Sequence, residues 1–231
     1  MESPQPGPLP LTGPERLTHD PLTGLRNEHL FRLQLPTEFA RARDVETNGA
    51  LVAIKLDNIL AINAQHGRRG GDEALRAVAY LLENYRSSAG QGSHLVFKLS
   101  GPVFGYYIPA CSAPEALAAA EQMRDRVTTS DLYIGRLSVS LGAVNFYEFF
   151  REEGTREEIA LRIEQTAFHR LAIAERTGGN TICDSTDISA AAVSARPVVL
   201  MVDPQPDSVE LLVQALEAAE FTVTTCTDGE S

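Results

Sequence analysis

The sequence predicts an α/β fold, in which helices surround a central mixed sheet with a β-hairpin at its middle and a partial βαβ segment follows. Three observations carry this. Short apolar runs of strand length alternate with stretches whose apolar residues recur at helical spacing. Two such runs, 94–100 and 103–110, are separated only by Gly101-Pro102, which reads as a hairpin and excludes an all-parallel sheet. Small and polar residues over 185–196 then set a second strand-helix-strand pattern apart from the first region.

The elements follow in order. Residues 1–18 hold five prolines and little to bury, so they read as a disordered arm. A domain is expected over 19–184. From Asn27 to about Glu46 the pattern is helical, with Pro36 either kinking the element or opening a second helix. ALVAIKLD (50–57) is a buried strand and NILAINAQ (58–65) a short helix. In DEALRAVAYLLENYR, Leu75, Val78, Leu82 and Tyr85 form one face of a core helix, which places Gly70-Gly71-Asp72-Glu73 at its N-terminus. HLVFKLS and VFGYYIPA are the hairpin strands. Ser112 and Glu115 have capping-box spacing and open a helix to about Val127. LYIG (132–135) and LSVSLGAVNF (137–146) read as strands. Thr155 and Glu158 form a second capping box, ahead of a helix with Ile159, Ile163, Ala167, Leu171 and Ala174 inward and Gly178 at its end. NTIC (180–183) closes the sheet. Beyond the linker 185–196, the segment 197–231 runs PVVLMVD, a helix begun by Pro206 with Val209, Leu212, Val213 and Leu216, then FTVTTC.

Composition excludes several function classes. A chain of 231 residues, 43% hydrophobic, can bury one full core with a remnant left over. The net charge of −11 repels nucleic-acid phosphates, and residues 187–231 hold eight acidic residues against one basic. Cys111, Cys183 and Cys226 show neither disulfide nor zinc spacing and read as reduced thiols of a cytoplasmic protein. No apolar run is long enough to span a bilayer and no leader pattern opens the chain, so no membrane association is expected. His66, His94 and His169 lack metal-ligand spacing and read as surface or loop histidines. Ser138 and Ser140 lack a nucleophile-elbow context.

DPLTGLRN (20–27), LDNILAIN (56–63), GGDEAL (70–75), SVSLGA (138–143) and AERTGGN (174–180) occur in the order of five motifs of the GGDEF diguanylate cyclase family, which this region resembles. The register of that resemblance makes GGDE at 70–73 a helix start. The family's catalytic hairpin turn instead falls on Ser100-Gly101-Pro102-Val103-Phe104. The resemblance implies the joining of two GTP molecules into cyclic di-GMP, which requires divalent cations held by carboxylates. The carboxylate positions correspond to Lys55, Pro102 and Val103, and the closing Lys and Arg to Glu175 and Gly179. An ammonium repels a cation at contact distance by about 4 kcal/mol per unit of ion charge at intermediate dielectric. Asp57 is expected to pair with Lys55, Pro102 to delete a backbone donor, and Val103 to make the turn tip apolar. The inhibitory cyclic di-GMP motif corresponds to Gln91-Gly92-Ser93-His94 and is absent.

These substitutions lead to the expectation of a catalytically inactive signalling and interaction module, not an enzyme, with no cofactor and no metal. Protein partners are expected, as a homodimer or with another GGDEF or receiver protein. A guanine-nucleotide sensor is the alternative and an active diguanylate cyclase the third reading. Asn63 and Asp72 match the family's guanine-binding positions. Their competing reading is structural, with Asp72 capping its helix and Asn63 tying off a helix end. The segment 197–231 resembles the start of a response-regulator receiver domain. Its acidic pair is broken at Asp203-Pro204, and the phosphoacceptor strand would lie beyond Ser231.

Overall fold

The computed structural model describes residues 15–85, 93–133, 135–187, 198–202, 213, 216 and 222–226. In chain order these form α1 (Glu15–Thr18), β1 (Arg26–Asn27), α2 (Glu28–Asp44), β2 (Gly49–Leu56), α3 (Ile59–Glu83), β3 (Leu95–Lys98), β4 (Val103–Pro109), α4 (Ala113–Thr128), β5 (Val139–Asn145), a 3₁₀ turn (Phe146–Phe149), α5 (Arg156–Arg176) and β6 (Ile182–Cys183). A separate unit beginning at Thr186 contains β7 (Val198–Val202) and β8 (Thr222–Cys226).

β2 dictates the layout of the first unit. It is apolar except at Lys55, and a pleated strand sends successive side chains to opposite faces. Ala50, Val52, Ile54 and Leu56 enter a core shared with α3 and α4. Leu51 and Ala53 enter a second core with residues of α2 and α5. A strand apolar on both faces belongs at the centre of a covered sheet. β2 accordingly lies between β4 and β5, antiparallel to both, in the order β1-β3-β4-β2-β5-β6. The expected mixed sheet is thus present, with parallel pairs only at its edges, β1 with β3 and β5 with β6.

The helices follow the capping chemistry. Ser112 donates its hydroxyl (2.6 Å) and its amide (2.9 Å) to Glu115, which holds the Glu115 carboxyl below its ordinary pKa. At α5 the Thr155 Oγ1 accepts from the Glu158 amide (3.2 Å), and Glu158 Oε2 accepts from the Thr155 amide (2.8 Å). Thr155→Ala is expected to cost about 1 kcal/mol, read as a lowered urea midpoint at unchanged slope.

Several expected boundaries shift. Pro36 lies buried inside one continuous α2 and does not open a second helix. The two helices expected around Gly70 are both present within α3, separated by a kink at Gly67 (φ 68°, ψ 178°), so the second starts a few residues before Gly70. Gly70 and Gly71 are therefore buried in its second half, and Asp72 is inside the helix instead of at its start. LYIG is not a strand: Leu132, Tyr133 and Gly135 form bends, Leu132 is 42% exposed, and β6 holds the sheet edge beside β5. β1 was not anticipated, since a two-residue strand carries no periodicity.

Cys111 and Cys183 are buried. Among the described residues no helix is long and apolar enough to cross a membrane. In the second unit β7 and β8 pair in parallel, which a βαβ connection requires. Of the arm expected over 1–18, Glu15–Thr18 are not irregular but form α1, while residues 1–14, most of the linker and most of the helix after Pro206 lie outside the described residues.

Candidate functional site

Three charged side chains meet at the carboxyl end of β2. Lys55 precedes the last residue of the strand, Asp57 follows it, and Glu175 comes from the last turn of α5. Lys55 Nζ lies 2.5 Å from Glu175 Oε1, with each side chain 33% exposed.

The expected Lys55–Asp57 pair does not form. The Asp57 carboxylate instead accepts from the hydroxyls of Ser138 (2.9 Å) and Ser140 (2.8 Å) and from the amide of Asn180 (3.0 Å). Ser140 stands opposite Lys55 in the β2–β5 register, so the sheet itself delivers these donors to Asp57. Gly179 completes the arrangement. Its φ of 73° suits glycine, and a Cβ there would lie 3.4 Å from Asp57 Oδ2.

The hairpin turn lies alongside. The Pro102 carbonyl accepts from the Leu56 amide (3.1 Å), while Ser100 and Gly101 are exposed. Val103 does not form an apolar tip. It is the first residue of β4, paired in register with Lys55, and it is buried in the core that contains Phe97 and Leu99. Lys98, 6% exposed, donates to the carbonyls of Leu99 (2.7 Å) and Gly101, with its ammonium over the Phe104 ring. Burial pushes its pKa below the ordinary lysine value. Lys98 therefore pins the turn from beneath, a part that sequence reasoning missed. The available signal was a single cation inside the apolar run HLVFKLS.

A divalent cation needs several converging anionic oxygens. Here the strand end presents an ammonium already paired with Glu175, and the Asp57 carboxylate is occupied by three donors. Among the described residues no group of three or more His, Cys, Asp and Glu could hold a metal ion. These residues, so arranged, do not fit the cation.

The helix break brings Asn63 against Gly71, the residue before Asp72. Past Gly67 the chain passes back over the start of α3, and a Cβ on Gly71 would collide with Asn63 Oδ1. The Asn63 side chain thus lies against the Gly71 backbone, next to Asp72 in the chain. Asn63 Oδ1 is enclosed yet has no hydrogen-bond partner. Asp72 lies too far past Gly67 to cap the helix. His94 is not a free loop histidine, because its Nδ1 lies 3.0 Å from the Tyr106 hydroxyl. His66 and His169 are exposed on α3 and α5. Gln91 and Gly92 lie outside the described residues.

Comparison with known proteins places these observations in a family. The family model described as "Diguanylate cyclase, GGDEF domain" matches residues 17–150. The diguanylate cyclase DosC of Escherichia coli K12 is 31% identical over 169 residues, covering 71% of this chain and 34% of DosC, so the chain spans about a third of that relative. Among solved structures, the coiled coil and GGDEF domain of DgcB from Caulobacter crescentus, in complex with c-di-GMP, has a TM-score of 0.63 at 22% identity. The match covers 74% of this chain and 87% of that coiled-coil and GGDEF chain. Diguanylate cyclase SiaD of Pseudomonas aeruginosa, in complex with its activator SiaC, also scores 0.63, at 23% identity, covering 74% of this chain and 63% of SiaD. The structural likenesses show the mixed α/β fold.

The expectation of a non-enzyme is overturned by these matches, because the family is described by its cyclase activity and relatives are named diguanylate cyclases. The family model matches more than half of the sequence, and the chain belongs to the GGDEF family, as a diguanylate cyclase-like domain.

Proposed function

We propose that this domain binds GTP through its guanine base, held by Asn63 and Asp72, and that base recognition is what the chain itself supplies to cyclase chemistry. The observation that carries the reading is Asn63 Oδ1, an enclosed acceptor without a donor. A buried polar atom left unpaired costs about 1–3 kcal/mol, and a ligand that supplies the missing donor recovers it. Guanine offers adjacent N–H donors on its Watson–Crick edge, and two acceptors, an amide oxygen and a carboxylate, complement them. Adenine lacks that pair of donors, so the site favours GTP over ATP. We also read 197–231 as the opening of a receiver-like domain, supported by the parallel pairing of β7 with β8, and protein partners as the means by which the domain signals.

Calorimetry with GTP, GDP, cyclic di-GMP and ATP tests the base site. Asn63→Ala is expected to weaken GTP binding by about tenfold while leaving the thermal transition in place. Equal affinity for ATP and GTP, or an unaffected Asn63→Ala variant, would remove this reading. Product formation from GTP and magnesium, measured beside it, reports the activity to which family membership points.

A further inference from the structure

We infer that Lys55 and Glu175 form an ionic latch that a nucleotide phosphate opens, so that the nucleotide is held by a resident ammonium in place of a divalent cation. This rests on the guanine reading above and adds to it the recognition of the phosphates.

The geometry brings the two parts to one end of the molecule. β2 ends at Leu56, α3 starts at Ile59, and Asn63 lies just over one helical turn farther on. The Ile59 side chain lies near Gly71, so the segment bearing Asp72 is folded over that same strand end. A base held there has Lys55 as the nearest cation on the adjoining strand. Of the groups around Lys55, Asp57 is fixed by Ser138, Ser140 and the Asn180 amide. Val103 opposite it is apolar, and Ser140 on the other side is turned to Asp57. Glu175 is therefore the partner that can be exchanged.

The energetics favour exchange. A pair in which each side chain is one-third exposed is partly screened by water, so exchanging Glu175 for another anion is favoured over breaking a fully buried pair. A terminal phosphate carries more charge than a carboxylate and offers three acceptor oxygens to an ammonium. Asp57 and Glu175 also repel an incoming phosphate, so Glu175 opposes binding twice, as competitor for Lys55 and as a like charge.

The test is calorimetry on the full chain with guanosine, GDP and GTP, first in EDTA and then in magnesium. In EDTA, GTP is expected to bind about tenfold tighter than guanosine, and magnesium to bring no further gain. Glu175→Gln is expected to tighten GTP by about tenfold and leave guanosine unchanged. Lys55→Gln is expected to abolish the difference between the two ligands. Both variants sit at a partly exposed pair, and an unchanged melting transition checks their folding. An advantage of GTP that appears only with magnesium, or a Glu175→Gln variant with unaltered GTP affinity, overturns the latch. If guanosine still binds and still responds to Asn63→Ala, the base site survives that result. If GTP responds to Glu175→Gln but not to Asn63→Ala, the latch survives and the base site falls. A chain that binds neither ligand overturns both.

Discussion

Replacing Arg170 by alanine is expected to destabilise the first unit by about 3–5 kcal/mol, the range for stripping one partner from a buried ion pair. The Arg170 side chain is 5% exposed and its Nη2 lies 2.5 Å from Glu148 Oε2. Its Nη1 also donates to the Ala143 carbonyl (2.6 Å) and to Glu148 Oε1 (3.0 Å). One side chain thus ties α5 to β5 and to the turn that follows it. Truncation leaves a carbonyl inside the core and a carboxylate without its counter-charge. Glu148 is 27% exposed and keeps the Asn145 amide (2.9 Å), so water recovers part of the loss and the lower end of the range is expected. Urea denaturation reads the effect. The double variant Arg170→Met with Glu148→Gln removes the orphaned charge and is expected to regain a measurable part of the midpoint. A single variant within 0.5 kcal/mol of the parent, on the order of a surface substitution, would show that the pair is idle.

Gly142→Ala is expected to cost about 3 kcal/mol through overpacking. A Cβ at this position of β5 would lie closer than 3.0 Å to the Ala167 carbonyl oxygen and the Leu171 amide nitrogen. Both are backbone atoms of α5, so no side-chain rotation relieves the clash and the helix has to move away from the sheet. That displacement loosens Ala167 and Leu171 in the core and disturbs the same turns that carry Arg170 and Glu175. Gly105→Ala is the control. There the nearest atoms lie 3.5 Å and beyond and belong to the Leu99 and Phe31 side chains, so only a small change is expected. Equal midpoints for the two variants would refute the close-approach account of Gly142.

Much of the fold was legible because it is written in local periodicity. The continuous apolar run of β2, the capping boxes at Ser112 and Thr155 and the break at Gly101-Pro102 all act over a few residues, and all three reappear in the structure. Failures came where local signals conflict with the rest of the chain. LYIG has strand-forming residues, but the sheet has no free edge for it beside β5. Asp72 looked like a cap because GGDE resembles a helix start; the break between the two expected helices is present, but it lies at Gly67, so the second helix is already under way at Asp72.

The site divides the same way. Lys55, Pro102, Val103, Glu175 and Gly179 were named from the order and spacing of the motifs alone, which needs no folding information. Pairing was a different matter. Lys55 finds Glu175 across 120 residues, while Asp57, two positions away, is taken by two serines and a backbone amide. Lys98 turns from a surface-type cation into a buried support of the hairpin, and Asn63 is left with an enclosed acceptor. Element type and motif order depend on neighbours in the chain, which a sequence displays directly. The choice of hydrogen-bond and ionic partners depends on which donors the closed sheet brings within reach and which of them compete, and only the assembled structure decides that.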